Sequence, residues 1–139
     1  MKIDPIKNGI VIDHIEAGKG MDVYNLLNLA ELDCTVALIK NVASKQTSKK
    51  DIIKIDASIE LNLDVLGYFA PEVTLNYIEN GVIVKKCKTS LPKTLKNVIK
   101  CKNPRCITSV EQGIDQVFNL VDEEKRVYRC TYCESKAND

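Results

Sequence analysis

The period of apolar and polar positions changes several times along the chain, and each change marks an element. Ile10-Val11-Ile12-Asp13-His14-Ile15 follows the turn signal Asn8-Gly9 and reads as a strand. Gly18-Lys19-Gly20 then breaks the chain. From Met21 to Leu32 the apolar residues at 23, 26, 27 and 30 fall on one helical face. Cys34 to Ile39 is apolar and partly β-branched, a second strand. Ala43 to Lys50 is polar and lysine-bearing and reads as a loop, and Asp51 to Asp56 as a third strand. Glu60 to Ala70 predicts a second helix, with Leu61, Val65, Leu66 and Phe69 apolar and Pro71 ending it. Val73 to Ile78 is a fourth strand, Asn80-Gly81 a hairpin turn of type I′, and Val82-Ile83-Val84 a fifth strand.

The order β-α-β-β-α-β plus one strand is that of a split βαβ unit. It predicts an α+β, ferredoxin-like lobe with two helices on one face of an antiparallel sheet. The other face then needs cover, from a second copy or another lobe. Ser90-Leu91-Pro92 closes this domain, giving expected units of 1–90 and 91–139. In the second unit, Gln116 to Val121 alternates over most of its length, Asp122-Glu123-Glu124 is a polar turn, and Val127 and Tyr128 lead into Cys130. That is a hairpin pattern, in a lobe too small to bury much core.

Cysteine adds the strongest chemical signal. Six cysteines occur in 139 residues, and four of them, Cys101, Cys106, Cys130 and Cys133, read C-x4-C, then 23 residues, then C-x2-C. Two short pairs brought together by a hairpin supply four thiolates, a set that suits Zn²⁺ and leaves no open position for chemistry. A disulfide pair and an iron–sulfur or redox role are the competing readings. A metal would supply folding free energy that so small a lobe lacks. Cys34 and Cys87 stand apart in apolar strands, as buried inert thiols do.

Composition narrows the function classes. Lys+Arg number 20 and Asp+Glu 19, so neither a basic nucleic-acid tail nor an acidic solvating segment is present. Residues 91–139 carry 9 Lys/Arg and 7 Asp/Glu; four thiolates and one Zn²⁺ would bring that +2 to zero. A nucleic-acid-binding zinc ribbon is the alternative reading, and it lacks the usual basic footprint. The start of the chain has no apolar run of the signal-peptide kind, and no stretch approaches a membrane span, so a cytoplasmic protein is expected. Nucleophile-elbow, dinucleotide and P-loop patterns are absent, and a single histidine, His14, offers no metal pair. No catalytic constellation forms.

Asp13-His14 is a polar pair inside a run of Ile and Val. It reads either as solvated strand tips or as a ligand site in which Asp accepts from a sugar hydroxyl and His meets a phosphate. Lys50, Lys54, Lys85 and Lys86 lie on or beside strands. They read equally as phosphate contacts or as lysines that blunt an exposed edge.

Linked motifs carry a resemblance. Gly9 to Ile15, Lys50-Asp51-Ile52-Ile53-Lys54-Ile55, Tyr68-Phe69-Ala70-Pro71, Thr74-Leu75-Asn76-Tyr77-Ile78, Ser90-Leu91-Pro92 and the four-cysteine set occur in an order and spacing that resemble the regulatory subunit of aspartate carbamoyltransferase, over nearly the whole chain. The resemblance implies a non-catalytic chain of pyrimidine biosynthesis. Its N-terminal allosteric lobe would pair with a second regulatory chain and bind ATP, CTP and UTP. Its C-terminal zinc lobe would dock on the catalytic chain, so that dimers link catalytic trimers. Carried over by position, the nucleotide pocket would use Ile3, Asp4 and Ile6 at the base, then Val11, Asp13, His14, Lys54, Ile78, Ile83 and Lys86. Asp13 would meet the ribose, and His14 and Lys86 the phosphates. Lys50, Thr74 and Asn76 would line an adjoining region, and Tyr132 would face the catalytic chain. Gly81 and Lys85 depart from the family pattern.

Overall fold

The computed structural model describes residues 6–43 and 49–137. Ile3 and Asp4 lie outside the described residues. Contacts divide the chain into two compact units, Met1–Ser90 and Leu91–Asp139.

The first unit is a five-stranded antiparallel sheet in the order β2-β3-β1-β4-β5. Its strands are β1 (Gly9–Glu16), β2 (Val36–Ala43), β3 (Lys49–Ile55), β4 (Thr74–Glu79) and β5 (Val82–Lys88). Two helices, α1 (Gly20–Leu26) and α2 (Leu63–Phe69), complete it. The first four strands have the split-βαβ order, as the sequence pattern implies. Ile10, Ile12 and Ile15 of β1, Ile53 and Ile55 of β3 and Leu75 of β4 join Val23 of α1 and Leu66 of α2 in one buried cluster. The helices therefore cover one sheet face only.

β1 keeps its register with that core by carrying an extra residue. Ile12 pairs Ile53 and Ile15 pairs Asp51, with a bulge between them. His14 sits at φ 60, a left-handed conformation that His tolerates better than most residues. The bulge returns Ile15 to the core face, three residues after Ile12 rather than two. It also leaves Asp13 on the face away from the helices, opposite Thr74.

Several elements differ from the sequence expectation. The first helix ends at Leu26 rather than Leu32, because Asn28 adopts φ 54, ψ 39 and a 3-10 turn, Leu29–Glu31, follows. Leu29, not Ala30, then reaches the core. The second helix begins at Leu63 rather than Glu60. The Asn62 side chain accepts from the backbone N–H groups of Asp64 and Val65, and so caps it there. Phe69, expected on the buried face, is 47% exposed and packs edge-on against Tyr68. Residues 43, 49 and 50, expected in a loop, are paired: Ala43 with Lys49 and Val42 with Lys50. Asn80 and Gly81 both have positive φ, as a type I′ turn requires.

Asp51 fixes that end of the sheet. It is fully buried. Its Oδ2 accepts from Gly18 N–H at 3.1 Å and Gly20 N–H at 2.9 Å, and its Oδ1 from Asn41 N–H at 3.0 Å. The carboxylate thus ties the loop after β1 to the bulge of edge strand β2, where Asn41 has φ 60. A Cβ on Gly20 would lie 2.8 Å from Asp51 Oδ2 and 2.7 Å from Leu38 Cδ1, so glycine is required by close approach.

The second unit holds a three-stranded sheet, β6 (Thr94–Lys96), β7 (Val117–Asp122) and β8 (Val127–Cys130), and a one-turn helix, α3 (Ile107–Val110). The expected hairpin is present; β6 and α3 are additions to it. Leu95 pairs Phe118, and Phe118 pairs Cys130, in a fully buried row. Tyr128 is also buried, and its hydroxyl donates to the carbonyl of Pro92.

Removing the Asp51 carboxylate strands three backbone donors in the interior. Asp51→Ala should lower the unfolding free energy by about 2–4 kcal/mol. A urea titration of the full chain checks this, and Asp51→Asn should recover only part of the loss.

Candidate functional site

Two sets of chemically able residues stand out, one in each unit. The first is the cysteine cluster. Cys101 and Cys106 flank a turn before α3, while Cys130 ends β8 and Cys133 follows it. All four sulfurs lie within 4.8 Å of one another. Cys101 Sγ is 3.5 Å from Cys133 Sγ, and Cys106 Sγ is 3.7 Å from Cys130 Sγ. Four thiolates around one ion at ~2.3 Å would be spaced by about 3.8 Å, so the set fits a tetrahedral metal site.

Both knuckles are built alike. Each sulfur accepts from the backbone N–H two residues further on: Asn103 for Cys101, Thr108 for Cys106, Tyr132 for Cys130 and Ser135 for Cys133. Asn103 Oδ1 accepts from Arg105 N–H at 3.0 Å, and Gln116 Oε1 from Cys101 N–H at 3.0 Å, which hold the first knuckle in shape. Thr108 Oγ1 sits 3.1 Å from Cys106 Sγ.

The four thiols differ in acidity. Burial pushes Cys101 up to about 12, reinforced by its sulfur neighbours and opposed by the Asn103 N–H. Burial also raises Cys130. The Ser135 hydroxyl and N–H hold Cys133 down to about 6, and the Thr108 hydroxyl lowers Cys106. Four adjacent thiolates cannot all ionise without a compensating cation, and a divalent metal supplies one. Thr108 and Ser135 were not singled out by sequence reasoning. Their signal is positional, since both stand two residues after a cysteine. Tyr132 is half-exposed at the tip of the second knuckle.

The second set lies on the sheet face that the helices leave uncovered. Register alone brings it together. Val11 pairs both Lys54 and Asn76, Asn76 pairs Lys86, Asp13 pairs Thr74, and Ile78 pairs Ile83. Lys50, opposite Glu16, shares that face. Nine of the residues singled out from sequence are therefore gathered on one surface. His14 sits in the bulge at its edge, and Ile6 precedes β1. Lys85 points the other way, with its ammonium 5.5 Å from the centre of the Tyr77 ring.

Polar groups on this face are unequally satisfied. Lys50 Nζ is 2.9 Å from Asp13 Oδ1. Burial pushes the Asp13 carboxyl up, but the Lys50 ammonium and the His14 N–H together outweigh it and hold it below the ordinary value. Among the described residues, Lys54 and Lys86 have no ion pair. Asn76 Oδ1 is buried and has no hydrogen-bond partner among them. A buried acceptor left open costs about 1–3 kcal/mol unless a donor reaches it. The remaining cysteines, Cys34 and Cys87, are free and partly buried against the core of this unit.

The two units define a class of protein: an α+β chain with a one-sided antiparallel sheet and a separate four-cysteine unit built to hold a metal. Residues 1–90 match the family described as aspartate carbamoyltransferase regulatory chain, allosteric domain, and residues 93–139 the metal binding domain of the same regulatory chain. Aspartate carbamoyltransferase regulatory chains of known name are close in sequence. One from Clostridium botulinum (strain Hall) is 54% identical over 134 residues, 96% of this chain and 92% of the relative. One from Clostridium acetobutylicum is 52% identical over 134 residues, with the same coverage, and one from Bifidobacterium longum 43% over 137 residues, 99% of each chain. The chain belongs to the aspartate carbamoyltransferase regulatory chain family, and it is a non-catalytic, regulatory chain. No helix among the described residues is long and apolar enough to cross a membrane.

The cysteine cluster should be necessary for the second unit and dispensable for the first. Cys130→Ser should abolish stoichiometric metal binding, read by elemental analysis. It should also collapse the amide spectrum of residues 91–137 while leaving that of the β1–β5 sheet in place. An ordered second unit without metal would contradict this.

Proposed function

We propose that the chain is a nucleotide-responsive regulatory subunit of aspartate carbamoyltransferase, with ATP, CTP and UTP bound on the open face of the first unit and Zn²⁺ held by Cys101, Cys106, Cys130 and Cys133. The observation that carries the nucleotide reading is the pairing of a buried acceptor, Asn76 Oδ1, with nearby cations, all without a partner among the described residues. A ligand bearing both hydrogen-bond donors and negative charge meets both needs at once. On this reading Lys54, Lys86 and His14 meet triphosphate charge, Asp13 accepts from a ribose hydroxyl, and Val11, Ile78 and Ile83 offer apolar surface to the ligand, with Ile3, Asp4 and Ile6 assigned to the base by family resemblance.

The metal reading rests on sulfur spacing and on donor chemistry. Four soft thiolates in a closed tetrahedron suit Zn²⁺ and leave no site for a reacting group. Its role is to fix the knuckles, and through them the surface that carries Tyr132. That surface would dock on the catalytic chain. The first unit would join a second regulatory chain through its sheet, so that dimers link catalytic trimers in the cytoplasm. A nucleotide then favours one quaternary state, with a coupling of about 1–3 kcal/mol. Domain roles follow from this: residues 1–90 sense, and residues 91–139 dock.

Co-expression with a catalytic carbamoyltransferase chain tests the proposal. The two should co-purify, and millimolar nucleotide should shift the aspartate saturation curve of the complex. Lys86→Ala should weaken triphosphate binding by about tenfold, the scale of one lost charge-assisted contact. Unchanged affinity would remove Lys86 from the site, and kinetics indifferent to every nucleotide would remove the regulatory reading of the face.

A further inference from the structure

The Lys50–Asp13 ion pair sets Lys50 apart from the other lysines of the open face. Lys50 Nζ lies 2.9 Å from Asp13 Oδ1, and the two side chains are only 16% and 21% exposed. The backbone N–H of His14 donates to the same oxygen at 2.6 Å. Oδ1 is thus engaged twice from within the chain. Among the described residues, Oδ2 has the His14 imidazole near it, with Nε2 at 3.9 Å, beyond hydrogen-bond distance, and no hydrogen bond. A carboxylate has about four acceptor positions, so Oδ2 is left able to accept from an incoming donor.

The base of Lys50 is itself anchored. The next residue, Asp51, points to the opposite face and is fixed by three backbone N–H groups from two segments. Neighbouring residues on β3 therefore grip the structure from both sides. Asp51 immobilises the strand, and Lys50 reaches from it across to the β1 bulge. Lys54, by contrast, has no ion pair among the described residues.

We propose that Lys50 is a positioning residue: it holds the Asp13 carboxylate through Oδ1, cancels its charge, and leaves Oδ2 to accept from a ligand hydroxyl, rather than binding phosphate itself. This rests on the reading of the open face as a nucleotide site and assigns Lys50 a different task within it. An Asp13 without its partner would repel a polyphosphate and be held by the His14 N–H alone. With Lys50 in place, the face offers one oriented neutralised acceptor and separate cations for the anionic end of the ligand. The Asp13 carboxyl titrates below the ordinary value, which accords with the pairing.

A double-mutant cycle on the full chain tests this, with ATP as the titrant and calorimetry as the readout. Lys50→Met should weaken ATP binding about tenfold in the wild-type background, the scale of a lost charge-assisted hydrogen bond. It should have almost no further effect in the Asp13→Asn background, because the group it acts through is gone. Lys50→Arg should keep most of the affinity. Carbon-13 titration of the Asp13 carboxyl supplies a signature that a structural role alone would not move: its midpoint should rise in Lys50→Met and stay low in Lys50→Arg. Lys50→Gln serves the same comparisons if the Met variant does not fold. ATP binding by the wild type, with an undiminished Lys50→Met loss in the Asp13→Asn background, would overturn this proposal alone. A wild-type chain that binds no triphosphate would overturn the nucleotide reading and this proposal with it.

Discussion

β1 lies in the middle of its sheet and carries one residue more than its neighbours require. That surplus shapes the first unit. Ile10, Ile12 and Ile15 must all face the helices, and they can do so only if a bulge absorbs the extra residue between Ile12 and Ile15. His14 takes the left-handed conformation that the bulge demands. Asp13 is then presented on the far face, where Lys50 meets it. A polar pair that interrupts an apolar strand is in this way compatible with a fully packed core, and the uncovered face acquires a fixed carboxylate at its edge.

The second unit answers to a different constraint. Its sheet has three short strands and one buried row, Leu95-Phe118-Cys130, so apolar burial alone gives it little. Four sulfurs converge at the end of that row. Brought this close, thiolates repel one another, and backbone donors two residues downstream offset only part of that. A bound cation would turn that repulsion into a strong tie within the unit. The first unit stands on a conventional core, and the second has a small core and a cysteine cluster suited to a metal.

Much of this was legible in the sequence, for physical reasons that can be named. Strands with an alternating or β-branched pattern declare themselves, and so did the split-βαβ order. Asn80-Gly81 specified its turn through the one backbone conformation those residues favour. The paired cysteine spacings located the metal cluster. Less legible was whatever depended on one residue's own backbone conformation or on a single side chain bonding to backbone. Asn28 and Asn62 set helix limits by a left-handed turn and by a cap, and helical periodicity reports neither. Lys49 and Lys50 read as loop by composition, yet the Asn41 bulge and the Asp51 clasp hold them in strand β3. Asp13, Lys50, Lys54 and Lys86 stood out by pattern, and the other open-face residues were named through family resemblance. Cross-strand register, which no local pattern contains, is what gathers them on one surface.

Assignment of the ligand to that surface is the central claim. Amide chemical shifts of the isotope-labelled full chain, followed during titration with CTP, test it most directly. The account predicts saturable shifts concentrated at Val11, Asp13, Lys54, Asn76, Ile78 and Lys86, with Val23 and Leu66 on the helical side little changed. Shifts confined to residues 91–137, or spread without saturation over both faces of the sheet, would contradict it.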